Sequence, residues 1–498
     1  MKIVFRVDAS RTIGSGHMMR CLVLGEALKD RGAIVEFACL EQQGDMIAYV
    51  EERGFCVLRL TVPTDVLTAK YENDYAAWLL RPASEDAWDF VNVVVSADIV
   101  ITDHYGIDAE WQRYVAQKLN CFMVAIDDLV RYHFADMVID QTLGRKVSEY
   151  ARGPLVLTGS DYAILGRQFL RQRPLARDRV FPIDSPSILV SMGGIDNPNA
   201  TLRVLKALHG RVNARFTVLL SQRAPHYNEV KKWCAQHGNV YHKDFERDMA
   251  SLMLRHDVAI GAPGTTCWER ACLGLPSILI PLADNQKTIC WQLVEYSAAV
   301  KVSLNEIESK LLGTYEYLLE EWKAFSETSF KLCDGRGTDR LILEMKQLVE
   351  IGLTDFKLRF ATDSDIKTVY QWQCHPKTRQ YAVSPEIPSW QTHNAWMMKK
   401  LESTTDYFYI ILDSHSDQKL GVVRLDHLEF ETYLVSIFLA PECYGKGVAT
   451  SALSLIDKLH PDLTLKATVL KANVASQNLF KKAHYVKIDT ETFVRKPI

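Results

Sequence analysis

The chain has 498 residues, 48% hydrophobic and 24% charged, with a formal net charge of −3. That length exceeds what one hydrophobic core serves and predicts two or three domains. The near-zero charge, without a basic block, excludes a nucleic-acid-binding face and a polybasic membrane anchor, and no apolar run reaches the ~18 residues of a spanning helix. Lys2, Arg6 and Asp8 put charges in the opening stretch, which reads as a first strand rather than a signal peptide. The eleven cysteines show no metal-ligand spacing, so a reduced cytoplasmic protein without a bound metal is expected.

Along the chain, strands are expected at 3–7, 34–39, 98–102 and 122–126, with a shorter one at 137–139. Amphipathic helices are expected at 18–31 and 109–118. This alternation predicts a parallel, doubly wound sheet. A second cycle takes in 187–191, 216–220, 258–260 and 277–280. Between the two cycles, 171–179 is charged and contains Pro174, and reads as an interdomain connection. A charged helical stretch at 306–351 and a linker at 352–356 precede a third unit. The expected domains are therefore 1–170, 171–352 and 356–498. Two similar α/β units open a cleft between the carboxyl ends of their strands, where ligands of such sheets bind.

The stretch 257–286 carries the clearest chemistry. It reads as a buried strand, a Gly/Pro turn, a helix opening at Thr265 and Thr266, a second strand and a polar loop. Backbone N–H groups and hydroxyls at such a turn suit a phosphate. Glu269 falls on the same helix face as Thr265, where its carboxylate accepts from a diol such as ribose. In the first loop, Gly14, Gly16, His17 and Arg20 stand where strand one turns into a helix. The loop lacks the lysine of a Walker motif, and Met19 replaces the third glycine of a dinucleotide fingerprint. His17 is either a packed or capping residue or a general base on water. Asp127 with Asp128, and Asp103 with Tyr105, either bind substrate hydroxyls or hold their own loops. Asp363 and Asp365 have a metal-like spacing but precede a helix, as an N-cap and first-turn acid do.

Taken in order, 13–20, 102–105, 126–128, 191–196 and the 261–286 clamp resemble the UDP-sugar hydrolases of pseudaminic acid biosynthesis. Those are metal-independent enzymes of glycosyltransferase B-type (GT-B) fold, and the resemblance covers residues 1 to about 345. It implies removal of UDP from UDP-2,4-diacetamido-2,4,6-trideoxy-β-L-altropyranose by water attack at C1, with inversion. His17 would activate the water. Gly193, Gly194, Thr265 and Thr266 would hold the diphosphate, Glu269 the ribose, and Asn285 and Gln286 the sugar or phosphate. Gly14, Gly16, Arg20, Asp103, Tyr105, Asp127, Tyr162 and Phe245 complete the implied substrate-binding set. After Tyr162 the chain departs from the family's usual Arg-Pro pair, reading Ala163-Ile-Leu-Gly-Arg167.

In the third unit, a strand at 432–439 runs into a glycine turn and a helix, a second anion cradle. With Asn473 and the stretch 476–485 it resembles the GNAT N-acetyltransferases. The resemblance implies acetyl-CoA bound by Leu439, Tyr444, Gly445, Lys446, Gly447, Val448 and Ala449, with Asn473 and Phe480 on the other side. Phe480 stands where many relatives carry a tyrosine general acid. Glu429, Glu431 and His427 are general-base candidates that also read as solvated surface.

The expected fold is α/β, with two doubly wound Rossmann-like lobes of GT-B type followed by an α+β GNAT domain. The expected function is bifunctional: acetyl-CoA-dependent N-acetylation of a 4-amino UDP-sugar, then hydrolysis to UDP and free sugar. The partners are small molecules, with no nucleic acid or membrane and the oligomeric state left open. A GT-B glycosyltransferase with a non-catalytic GNAT-like module is the alternative.

Overall fold

The computed structural model describes residues 1–498 except 72–73, 182–184, 351–353 and 383, and the side chain of Asn285 also lies outside the described residues. Parallel strands are covered on both faces and therefore read as unbroken apolar runs. β1 (Lys2–Arg6), β2 (Ile34–Leu40), β3 (Cys56–Leu60), β4 (Ile99–Thr102), β5 (Phe122–Ile126), β6 (Met137–Asp140) and β7 (Leu155–Thr158) form one parallel sheet in the order 3-2-1-4-5-6-7. β8 (Ser187–Ser191), β9 (Arg215–Leu219), β10 (Val240–Lys243), β11 (Val258–Gly261), β12 (Ser277–Leu279) and β13 (Val300–Lys301) form a second, in the order 10-9-8-11-12-13.

Each sheet reverses direction of winding at one place, β1 beside β4 and β8 beside β11. The crevice outside the carboxyl ends of such a strand pair is where doubly wound sheets take ligands. β11 and β8 run so close that a Cβ on Gly261 would lie 2.1 Å from the Ser191 carbonyl oxygen, so glycine is obligatory there.

Most expected strands are present within a residue or two. β3, β7, β10 and β13 were not expected, and all four are sheet edges. Their partly exposed positions break the apolar run that marks a central strand. The expected connection at 171–179 lies between β7 of the first sheet and β8 of the second, and most of it belongs to a helix, Arg167–Arg177, with Pro174 inside. Its charge does not mean solvation, because Arg173 is buried and donates to the carbonyls of Cys272 at 2.7 Å, Cys333 at 2.8 Å and Phe330 at 2.7 Å. The expected helical stretch is three helices, Ile307–Glu320, Trp322–Leu332 and Gly337–Val349. Of the expected linker, residues 352–353 lie outside the described residues and Phe356 already opens a strand.

Contacts divide the chain into two units, residues 1–27 with 33–338 and residues 28–32 with 339–498. The second carries a mixed sheet in the order 14-15-16-17-18-20-19. Its strands are β14 (Phe356–Phe360), β15 (Tyr407–Asp413), β16 (Lys419–Glu429), β17 (Thr432–Leu439), β18 (Thr464–Thr468), β19 (Val486–Lys487) and β20 (Thr492–Arg495). β17 pairs with β18 in parallel only from Thr432 to Leu434, so the strands part along the remainder of β17. Asp365 is buried against Arg359 and Lys419 and closes a capping box with Thr362, the first-turn role expected of it. Among the described residues no helix is long and apolar enough to cross a membrane.

Candidate functional site

The first half of the site hangs on the carboxyl ends of β1 and β4. Gly14, at φ +82°, lets the loop after β1 fold back on Ser10, and Gly16 opens the helix Gly16–Lys29. This places His17 one residue into the helix, with Nδ1 2.5 Å from Asp103 Oδ1 in the loop after β4. Arg20, one turn on, donates to both oxygens of Asp103 at 2.6 Å. Burial opposes ionisation of Asp103, but Arg20 and then His17 outweigh it and hold the carboxyl well below the usual carboxylate range. An ionised Asp103 makes His17 Nδ1 the protonated nitrogen, which leaves Nε2 as the proton acceptor.

Aromatic rings close the space around that imidazole. Tyr105 meets it edge-on at 4.7 Å between centroids, Trp78 at 6.0 Å, and Trp78 stacks on Tyr105 at 5.3 Å. Burial, reinforced by Asp128, pushes the Tyr105 hydroxyl far up, so it stays protonated and donates to Asp128. His17, Asp103 and Tyr105 therefore form one connected group, in which the buried Asp103 carboxylate is taken up by His17 and Arg20.

Arg20 and Asp127, also in the implied substrate-binding set, are likewise committed within the protein. The Arg20 guanidinium is committed to Asp103 and lies 5% exposed, so it positions the histidine's partner. Asp127 is 1% exposed and accepts from Leu129 N, Arg131 N and Arg131 Nε, which makes it the residue that folds its own loop. Its neighbour Asp128 reaches the surface instead, with a side chain 33% exposed. Asp128, Tyr75 and Trp78 were absent from the implied set. The Asp127–Asp128 pair signalled the first, whereas the aromatic residues join the site only through the fold. Tyr162 ends the 3-10 turn Ser160–Tyr162, next to Ala163, which packs against Gly337.

The second half of the site is mostly backbone. Gly193, at φ +87°, and Gly194 follow β8, and a Cβ on Gly194 would lie 3.6 Å from Ser15 Oγ in the first loop. That approach brings the two crevices together. Gly264, Thr265 and Thr266 follow β11, where a Cβ on Gly264 would meet nothing and the Thr265 side chain makes no cap hydrogen bond. Arg270 is turned inward onto the Ala262 carbonyl at 2.9 Å and stays behind this cradle. Glu269 Oε2 is buried without a hydrogen-bond partner. Burial, only partly offset by Arg270, pushes its carboxyl up to about 7. A carboxylate with an unpartnered buried oxygen accepts readily from a hydroxyl, such as one of a vicinal diol. Phe245 is exposed, edge-on to Tyr49 at 6.1 Å. Asn285 lies in the turn Asp284–Gln286, and Gln286 Oε1 accepts from Leu282 N at 2.9 Å.

In the third unit, Gly445 at φ +75° and Gly447 at φ +80° lead into the helix Val448–Leu459, and a Cβ at either would meet nothing. With the parting of β17 from β18, this gives an open amide loop beside a slot, the shape a pyrophosphate with an extended thiol arm requires. Leu439 and Val448 are buried and Ala449 packs on the core, so those three can offer only backbone. Lys446 is exposed, and Tyr444 reaches Thr378 Oγ1 at 3.0 Å. Asn473 and Phe480 have partners within the fold. Asn473 caps the helix Val474–Lys482 by accepting from Ser476 N at 3.0 Å. Phe480 is buried between Tyr485 and Phe493 in the core. His427 donates to the Phe430 carbonyl at 2.8 Å within its hairpin, and Glu429 and Glu431 are exposed. Among the described residues no group of three or more His, Cys, Asp or Glu is placed to hold a metal ion.

Fold and site together define a glycosyltransferase-like nucleotide-sugar enzyme fused to an acetyltransferase domain. The model of the glycosyltransferase family 28 C-terminal domain matches residues 189–329, and that of the acetyltransferase (GNAT) domain matches residues 355–486. An uncharacterized protein of Methanocaldococcus jannaschii is 23% identical over 98% of this chain and 97% of its own. The UDP-2,4-diacetamido-2,4,6-trideoxy-beta-L-altropyranose hydrolase of Campylobacter jejuni is 24% identical over 51% of this chain and 81% of its own. The crystal structure of CalG4, the calicheamicin glycosyltransferase, superposes with a TM-score of 0.50 at 12% identity, over 71% of this chain and 99% of that one. It shares the two-lobed fold. A GNAT domain implies acetyl-CoA binding.

Proposed function

We propose that the chain hydrolyses UDP-2,4-diacetamido-2,4,6-trideoxy-β-L-altropyranose to UDP and free sugar, and that its GNAT domain acetylates the 4-amino precursor. The observation that carries this reading is the 2.5 Å contact of His17 Nδ1 with a buried, ionised Asp103, at a crevice that meets the Gly194 loop. His17 Nε2 removes a proton from water as the water attacks C1 on the face opposite UDP, and the configuration inverts. The nucleoside diphosphate is a good leaving group, so the charge it gains needs only fixed donors. Amides of Gly193, Gly194 and Thr266 and the Thr265 hydroxyl supply them, while Glu269 takes the ribose diol. Proximity between these groups and the water provides the remaining acceleration.

Acetyl-CoA would rest its pyrophosphate on the amides of Gly445 and Gly447 and its thiol arm along β17. Bound there, it supplies an activated acetyl group to a neutral amine directly. No cysteine intermediate is required. Tethering raises the effective concentration of the shared intermediate. Domain limits of 1–170, 171–352 and 356–498 and a cytoplasmic setting belong to the same proposal, since both co-substrates are cytoplasmic metabolites.

Incubating the pure protein with acetyl-CoA and the 4-amino UDP-sugar tests the whole reading. Mass spectrometry and NMR should find CoA, UDP and the diacetamido sugar. The family 28 match favours a second reading, transfer of the sugar to an acceptor. UDP release that requires an added acceptor would establish that reading, and absence of CoA release would leave the third unit a binding module.

A further inference from the structure

We infer that Asp128 binds the sugar, its Oδ2 accepting a hydroxyl or amide N–H from the ring beside the reacting carbon. This rests on the nucleotide-sugar reading above and adds a residue that fixes which sugar fits. Asp128 lies just past the carboxyl end of β5, and Tyr105 donates to its Oδ1. Tyr105 in turn lies edge-on to His17 at 4.7 Å, so the carboxylate is one aromatic ring away from the proton acceptor. Arg20 Nη1 stands 3.6 Å from Oδ2, beyond hydrogen-bond reach. Its neighbours Asp103 and Asp127 are buried and fully occupied, whereas the Asp128 side chain is 33% exposed. A partly exposed carboxylate held in place on one oxygen, with no hydrogen bond to the other, is a prepared acceptor. Acetamido and hydroxyl groups are the donors this sugar class carries.

The test uses the full chain with His17→Ala, which is expected to bind without turning over. Titration calorimetry with UDP and with UDP-2,4-diacetamido-2,4,6-trideoxy-β-L-altropyranose measures the sugar's contribution. Adding Asp128→Asn should weaken the UDP-sugar by about tenfold to a hundredfold, the range for a hydrogen bond to a charged group. UDP itself should bind within twofold of the parent. Equal losses for both ligands, or no loss for either, overturn the inference. Should Asp128→Asn fold poorly, Asp128→Ser is expected to give the same selective loss. If the His17→Ala parent holds the UDP-sugar no better than UDP, the nucleotide-sugar reading fails and this inference falls with it.

Discussion

The two halves of the crevice are built from opposite materials. On the β1–β4 side the chemistry sits in side chains, and nearly every polar atom is spoken for: His17 by Asp103, Asp103 by Arg20, Tyr105 by Asp128. On the β8–β11 side the surface is largely glycine and threonine backbone, and Glu269 there has an oxygen buried without a partner. The contrast teaches which half does what. A group that must hold a proton in one orientation needs its partners before substrate arrives, whereas a surface that binds a ligand keeps its donors and acceptors unspent. Substitutions of His17 and Asp103 should therefore cost turnover and those on the second side affinity for UDP, with Asp128, which keeps one oxygen unspent, costing affinity for the sugar alone.

His17→Ala breaks the comparison most directly. Turnover should fall ~10⁴-fold, the upper range for a general base, while UDP binds within twofold by calorimetry. Asp103→Asn should follow, with a loss of ~10²–10³-fold in kcat and little change in KM, because the amide no longer fixes the tautomer. A rise in KM instead would return Asp103 to substrate binding. Phe480→Ala tests the third unit: emptying a buried aromatic site costs about 3 kcal/mol of stability. Thermal unfolding should register that cost while acetyl-CoA affinity below the transition stays unchanged. Gly447→Val should weaken acetyl-CoA at least tenfold by equilibrium dialysis, since a β-branched residue is strained at φ +80°.

Glu269 sharpens the affinity half through pH. Its carboxyl is pushed up to about 7 by burial, and a diol donating to it favours the ionised form. Affinity for UDP should be full above that value and decline as pH falls through about 7. Glu269→Gln should bind about tenfold more weakly above pH 7 and lose this component of the pH dependence, leaving only that of the phosphates. Parallel profiles for the two proteins would remove the ribose role.

Much of this was legible in the sequence, for identifiable reasons. Central parallel strands carry an unbroken apolar run, all of β5 and the middle of β8, so their bounds could be read directly. Edge strands such as β3 could not, because one flank is solvent and the apolar run is broken. Glycine turns marked His17, Gly193, Gly264 and Gly447 because the conformations they permit are local. Side-chain commitments were not legible. Whether Asp127 or Asp128 faced the crevice depends on which carboxylate Arg131 and its loop amides take up. Arg20 read as a ligand contact because the partner that consumes it lies 83 residues away. Phe480 read as a cofactor contact for a similar reason, since Tyr485 and Phe493 surround it only in the fold.

The central claim is that His17 directs water onto the anomeric carbon. Turnover of the UDP-sugar in ¹⁸O-labelled water, followed by mass spectrometry of both products before exchange, tests it in one step. The label should enter C1 of the released sugar, with none in UDP, and the labelled product should vanish with His17→Ala. Label in the UDP phosphate, or release that continues without His17, would contradict the account.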